Sequence, residues 1–239
     1  MAKTSLNNGN INDSLENKKN LKICSMPEEE QSHLDFEQKY VHDFYSVKSQ
    51  KFSNTRVKPW PFTLEFMNKY SNANSLILDS GCGNGRQFIH QNTVGIDFSG
   101  NLLAEARRKF NIGLVKENVH DLCFKDKVFD IVLSVAVIHH LSTHERRLTC
   151  LLEMKRVLKD EGMCLIYVWH IGASSKRKFT KLQNSEFLVS WKGEVDLMRY
   201  YFLFDEKTLK DLCIEAGFDI VDLRREEESV YAVVKKKKD

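Results

Sequence analysis

The segment Asp79-Ser80-Gly81-Cys82-Gly83-Asn84-Gly85 constrains this chain more than any other. It directly follows the apolar run Ser75-Leu76-Ile77-Leu78, so it reads as a loop leaving the end of a buried strand. Glycines at alternate positions let the backbone turn sharply and approach a ligand where a side chain would collide. In an open α/β sheet such a loop lies at the carboxyl ends of the strands, near a helix N-terminus, where ligands bind. A bare strand followed by G-x-G-x-G has many owners, dinucleotide enzymes among them. Here the third glycine comes two residues after the second, unlike the longer G-x-G-x-x-G of the NAD fingerprint.

The pattern around the loop alternates regularly. After Asp79 come candidate strands at Val94–Asp97, Ile112–Lys116, Phe129–Ser134 and Met163–Val168. Helical spacing fills the gaps at Leu102–Phe110 and Arg147–Leu158. A further helix over Leu209–Ala216, capped by Gly217, precedes Asp219–Leu223 and Val230–Val234, which read as a closing hairpin. Strands alternating with helices predict an α/β fold: a Rossmann-like, doubly wound, mostly parallel sheet of seven strands. Two helices precede it, one carrying Phe36, Tyr40, Val41 and Phe44 and one following Pro59. Residues 1–33, rich in Asn, Lys, Glu and Ser, read as a disordered polar tail. The domain then spans 34–234, with a basic tail at 235–239.

The other strand ends sharpen the ligand. Asp97 stands 12 residues after Gly85 at the end of the second strand, where its carboxylate can accept both hydroxyl hydrogens of a ribose; the alternative is a helix N-cap. Phe98 follows it. Asn118 and Val119, after the third strand, can face an adenine, although Asn118 reads almost as well as a turn residue. Ser134 and Ala136 end the fourth strand on the methionine side. With Asp79, Gly81, Cys82, Gly83, Asn84 and Gly85 these converge on one rim and read as an S-adenosylmethionine site. The pattern predicts a class I methyltransferase.

Composition narrows the setting. The chain has 239 residues, a formal net charge of +3 and six cysteines with no C-x-x-C pair, which suits reduced thiols and offers no Cys-built metal site. No run of 18 apolar residues is present, and the first 20 residues are polar, so neither membrane insertion nor secretion is expected. A cytoplasmic location, with a nuclear pool allowed, is the expectation.

Several motifs resemble one family in particular, the eukaryotic tRNA methyltransferases that esterify 5-carboxymethyluridine at the wobble position. They run in order from Tyr40 onward: Tyr40-Val-His42, Phe52-Ser-x-x-Arg56-x-Lys58-Pro-Trp60-Pro61, the glycine loop, Ala136-Val-Ile-His139-His140, Ser142-Thr-x-Glu-Arg-Arg147, Tyr167-Val-Trp169, Ser174-Ser-x-Arg177 and Arg199-Tyr200-Tyr201. The glycine loop is common to many methyltransferases, whereas K-P-W-P and H-H-x-S-T-x-E-R-R are far more specific. The chain departs from the family at Arg86 for a lysine, Asn118 for an acid, Phe202 for a histidine, and Glu226–Val230.

The resemblance implies Arg56, Arg199, Tyr200 and one of His139 and His140 on the acceptor side. A carboxylate is already ionised near neutral pH, so it needs orientation rather than a general base. An arginine fork is suited to hold it. Trp60 and Trp169 are candidate stacking faces for a flipped base. Lys58 is a candidate substrate-binding residue, and the cluster Lys176, Arg177 and Lys178, read as a loop, is a candidate for tRNA phosphates. Arg146 and Arg147 read as a solvated helix face or a salt bridge. The family also implies a small zinc-binding activator subunit along an edge strand at 112–116, with the zinc in the partner and none here. Two other readings survive the sequence. One is a small-molecule methyltransferase acting on carboxylic acids, quinones or sterols; the other is a non-catalytic binding module.

Overall fold

The computed structural model describes residues 26, 29–173, 177–191 and 194–238. Lys176 and most of the presumed tail at 1–33 therefore lie outside the described residues. Helix α1 (Glu30–Glu37) already begins inside that segment, and Met26 is buried against Val41, Leu188 and Tyr200. A π turn (Gln38–His42) joins α1 to α2 (Asp43–Asn54), and Pro61 starts α3 (Pro61–Tyr70) at its first turn, where no amide donor is needed.

The main sheet has seven strands in the order β3-β2-β1-β4-β5-β10-β9. These are β1 (Ile77–Ser80), β2 (Thr93–Asp97), β3 (Gly113–Lys116), β4 (Phe129–Val135) and β5 (Leu158–Trp169), all parallel, with the antiparallel pair β9 (Phe218–Glu226) and β10 (Ser229–Lys236) closing it. Alternate residues bury against opposite layers. Leu78 and Val132 pack with α5 (His144–Val157) and α6 (Glu206–Glu215), while Ile77, Ile131 and Leu133 pack with Phe62, Phe66 and Met67 of α3. Each crossover helix starts on a side-chain cap. Ser99 caps α4 (Gly100–Lys109), Thr143 caps α5 and Asp205 caps α6. Gly217, at φ +80°, ends α6 in the left-handed region.

Two sequence expectations are corrected here. The stretch after β5, read as a loop, instead forms a three-stranded antiparallel sheet: β6 (Phe179–Gln183), β7 (Glu186–Trp191) and β8 (Glu194–Phe202). Strands β6 and β7 are short, at five and six residues, and β7 is buried along its whole length rather than half-exposed, so no alternation marks it. The basic run at 235–239 is likewise no simple tail. Lys235 and Lys236 belong to β10, and Lys236 and Lys238 face Asp160 and Glu161 of β5 at 3.6 and 3.2 Å.

Candidate functional site

The strand ends open into a cleft of about 750 Å³. The glycine loop forms its floor. Gly81, Gly83 and Gly85 all have positive φ. A Cβ on Gly81 would sit 2.4 Å from Val137, whereas one on Gly83 would meet nothing nearer than Leu102 at 3.9 Å. Gly81 is thus needed for packing, and Gly83 keeps the backbone open toward the cleft. Asn84 lines the cleft as well. Its amide donates to the Ser53 carbonyl, the Ser53 hydroxyl and the Arg56 carbonyl at 3.0–3.3 Å, tying the loop to α2. Cys82, also lining the cleft, donates its amide to the Ile96 carbonyl at 2.8 Å.

Asp97 is not the helix cap, which is Ser99. Its carboxylate accepts the amides of Gly83 and Ser99, each at 2.8 Å, and each oxygen keeps a lone pair for a further donor. Burial, against these two hydrogen bonds, pushes its pKa up to about 6. Burial and the neighbouring Asp97 push Asp79 further, to about 8, and its Oδ2 has no hydrogen-bond partner among the described residues. A buried acid with a vacant oxygen lacks a cationic partner. These residues fit S-adenosylmethionine, with Asp97 suited to the ribose diol, Asp79 to the cationic amino-acid end, and Phe98, Val119 and Ala136 to the walls. Ser134 is fully buried, its hydroxyl has no hydrogen-bond partner among the described residues, and it does not line the cleft. Asn118 is the turn residue that its alternative reading allowed. Its amide oxygen accepts the His120 amide at 3.2 Å and lies 2.5 Å from His120 Nδ1, leaving only its NH₂ to offer an adenine.

The acceptor side is built from elements far apart in sequence. Arg199 is buried, and its guanidinium lies 4.6–5.8 Å from the rings of Phe44, Tyr45, Trp191 and Tyr201. Its Nη1 donates to the Tyr45 hydroxyl at 3.1 Å, whereas Nε and Nη2 have no partner among the described residues. Those two nitrogens form one edge of the guanidinium, the side-on fork that matches a carboxylate. Arg56 lies over Phe52 at 4.4 Å and Trp191 at 4.9 Å and lines the same cleft. Burial, then the charge of Arg199, lowers its pKa. Arg56, Arg177 and Arg199 thus stand close enough on this side of the cleft for their charges to be felt by one another.

The two histidines divide their work. His139 Nδ1 accepts the Trp169 amide at 3.1 Å, so the neutral ring carries its proton on Nε2. His140 is held at both nitrogens, by the Tyr200 carbonyl at 2.8 Å and the Tyr45 hydroxyl at 3.0 Å. Both rings are kept neutral chiefly by burial, His140 down at about 3.

Several proposed site residues are placed elsewhere. On β8 side chains alternate, so Arg199 and Tyr201 reach the cleft and Tyr200 does not. The Tyr200 hydroxyl instead donates to Glu186 at 3.1 Å in a buried cluster. Phe202 likewise packs away from the cleft, 3.9 Å from the Arg147 guanidinium. Trp169 does line the cleft, as does Arg177; its ring stacks on Tyr201 at 4.6 Å, with the Arg177 guanidinium 4.5 Å from its centroid. Trp60 lines the cleft against Tyr167 at 4.4 Å. Lys58 and Lys178 are exposed and do not line it. Arg147 is buried rather than solvated, and Arg146 pairs with buried Glu37 at 2.8 Å. Tyr45, Tyr201 and Glu226 line the cleft without having been singled out. A signal existed for two of them: Tyr45 follows His42 by three residues on one helical face, and Tyr201 follows Arg199 by two on a strand.

Comparison with known proteins agrees with this geometry. Residues 78–166 match the family model described as "Methyltransferase domain". An S-adenosylmethionine-dependent methyltransferase from Methanosarcina mazei superposes with a TM-score of 0.63 at 18% identity, covering 77% of this chain and 100% of that one. The Haloferax volcanii putative methyltransferase, solved with the Trm112 methyltransferase activator, gives 0.63 at 14% identity, covering 83% and 98%. Fold and site thus define an S-adenosylmethionine-dependent class I methyltransferase.

The relatives in sequence specify which one. A putative methyltransferase of Encephalitozoon cuniculi is 46% identical over 84% of this chain and 97% of its own. The tRNA (carboxymethyluridine(34)-5-O)-methyltransferase of Schizosaccharomyces pombe is 30% identical over 85% of this chain and 99% of its own. The human probable tRNA methyltransferase 9B is 36% identical over 65% of this chain, which spans only 34% of that longer protein. The chain belongs to the tRNA (carboxymethyluridine(34)-5-O)-methyltransferase family.

Proposed function

We propose that this chain transfers the methyl group of S-adenosylmethionine to the carboxylate of 5-carboxymethyluridine at the tRNA wobble position, giving the methyl ester. The observation that carries this reading is the unpartnered Nε–Nη2 edge of buried Arg199, a fork that lacks its carboxylate. Leaving such donors buried and unpaired costs free energy, which an anionic substrate offsets. Bound S-adenosylmethionine supplies a methyl group on a sulfonium sulfur. The chain supplies orientation. Arg199 and Arg56 hold the carboxylate against the cofactor side of the cleft, and such positioning is worth on the order of 7 kcal/mol. No base is needed, and the histidines fit that role: His140 is neutral and committed at both nitrogens, while His139 can offer only an Nε2 proton to the uracil.

A small zinc-binding activator of the Trm112 type, laid along the open edge of β3, completes the proposed enzyme, which works on tRNA in the cytoplasm with a nuclear pool. The test is to incubate the chain and this partner with labelled S-adenosylmethionine and tRNA bearing 5-carboxymethyluridine. Label released by mild base from the anticodon loop is expected. Label stable to mild base would point to a nitrogen or carbon acceptor and sink the ester reading.

A further inference from the structure

Arg199 is held by more than its aromatic cage. Cation–π attraction draws a charge toward the rings but does not decide which nitrogen points where. Hydrogen bonds do, and among the described residues Arg199 has one such bond, from Nη1 to the Tyr45 hydroxyl at 3.1 Å. That hydroxyl lies 3.0 Å from His140 Nε2, and His140 Nδ1 lies 2.8 Å from the Tyr200 carbonyl. The two ends fix every proton between them, because a guanidinium only donates and a carbonyl only accepts. Nδ1 of the neutral ring must carry the proton, so Nε2 accepts. Tyr45 gives Nε2 its single hydrogen, and its oxygen lone pair is left for Arg199. The Tyr45 ring is itself clamped between Phe44 at 5.1 Å and Phe52 at 5.2 Å. Tyr45 and Arg199 are 154 residues apart, and both lie outside the matched methyltransferase domain at 78–166.

We infer that Tyr45 is a positioning residue for the acceptor carboxylate: anchored on His140, it holds Nη1 so that the Nε–Nη2 edge of Arg199 faces the cleft. This rests on the carboxylate reading above. Without the hydroxyl the guanidinium keeps its cage but loses the contact that sets its rotation. The carboxylate is then held less well in line for transfer, while the cofactor floor is untouched.

Tyr45→Phe keeps the ring and removes the hydroxyl. With the activator partner present and tRNA bearing 5-carboxymethyluridine as substrate, kcat is expected to fall about tenfold. The calorimetric Kd for S-adenosylmethionine and the thermal midpoint should stay near wild type. The wild-type preference for binding carboxymethyluridine tRNA over tRNA with unmodified wobble uridine should shrink. In an Arg199→Lys background Tyr45→Phe should change that preference no further, since the hydroxyl acts through the guanidinium. An unchanged kcat overturns the inference. So does a parallel loss of cofactor binding and thermal midpoint, the mark of a merely structural residue. Should Tyr45→Phe fail to fold, His140→Gln, which can still accept from Tyr45, is expected to keep more activity than His140→Leu, which cannot. Equal activity in that pair overturns the inference as well. Wild-type protein that forms no base-labile methyl group overturns the carboxylate reading itself. An ester formed at equal rates by wild type and Tyr45→Phe overturns only the role of Tyr45.

Discussion

At the scale of single residues the cofactor floor holds an electrostatic tension. Asp79 and Asp97 are both held above the ordinary carboxylate range, to about 8 and about 6, chiefly by burial. A carboxyl whose folded pKa lies above its unfolded value contributes stability below the unfolded pKa, and this is lost as pH rises through the folded one. Without cofactor, stability is therefore expected to decline between about pH 4 and pH 8. Asp79→Asn removes the buried charge but keeps the shape. Its gain in thermal midpoint over wild type should be near zero at pH 4 and grow up to pH 8, as melts across that range would read. A gain independent of pH would mean that Asp79 ionises normally. The same substitution is expected to weaken S-adenosylmethionine, because the cationic end loses its partner.

At the scale of elements, the site depends on a helix outside the Rossmann-like core. Helix α2 carries Tyr45 and Phe52 and leads into Arg56, and it is fastened to the glycine loop by Asn84. Asn84→Ala removes donors from three buried or half-buried acceptors. The expected cost is about 1–3 kcal/mol in urea unfolding, with kcat for tRNA falling more than cofactor affinity. Equal losses in both would place Asn84 in the cofactor site alone. A second fastening joins Glu37 of α1 to Arg146 of α5 and to Ser142 just before it, and both Glu37 and Arg146 line the cleft.

At the scale of the whole molecule the two sheet edges differ. Strand β9 exposes Arg224, Arg225 and Glu226, charges that discourage strand addition. Strand β3 is four residues long, with half-buried Leu114 and Val115 flanked by Gly113 and Lys116, and is the edge more open to a partner. If the Trm112-type protein pairs there, adding it at a hundred times its Kd is expected to raise unfolding stability by about 2.7 kcal/mol. Amide exchange should slow in residues 113–116. Protection confined to β9 would place the partner on the other edge.

Much of this was legible in the sequence, because it rests on local patterns. Apolar runs ending in glycine or an acid specified the parallel strands, and the spacing of Asp79, the glycines and Asp97 specified the cofactor floor; strand period and glycine geometry need no distant contacts. Arg56, Arg199 and His139 were legible through the family motifs. What only the tertiary structure decided are the choices between adjacent side chains. His140 rather than His139 is committed at both nitrogens because Tyr45 and the Tyr200 carbonyl flank it. Trp169 meets Tyr201 and Arg177, and the fork of Arg199 is aimed by a residue 154 positions away. Each depends on which groups meet after the second sheet and the N-terminal helices fold over the strand ends, and neither spacing nor residue type along the chain carries that information.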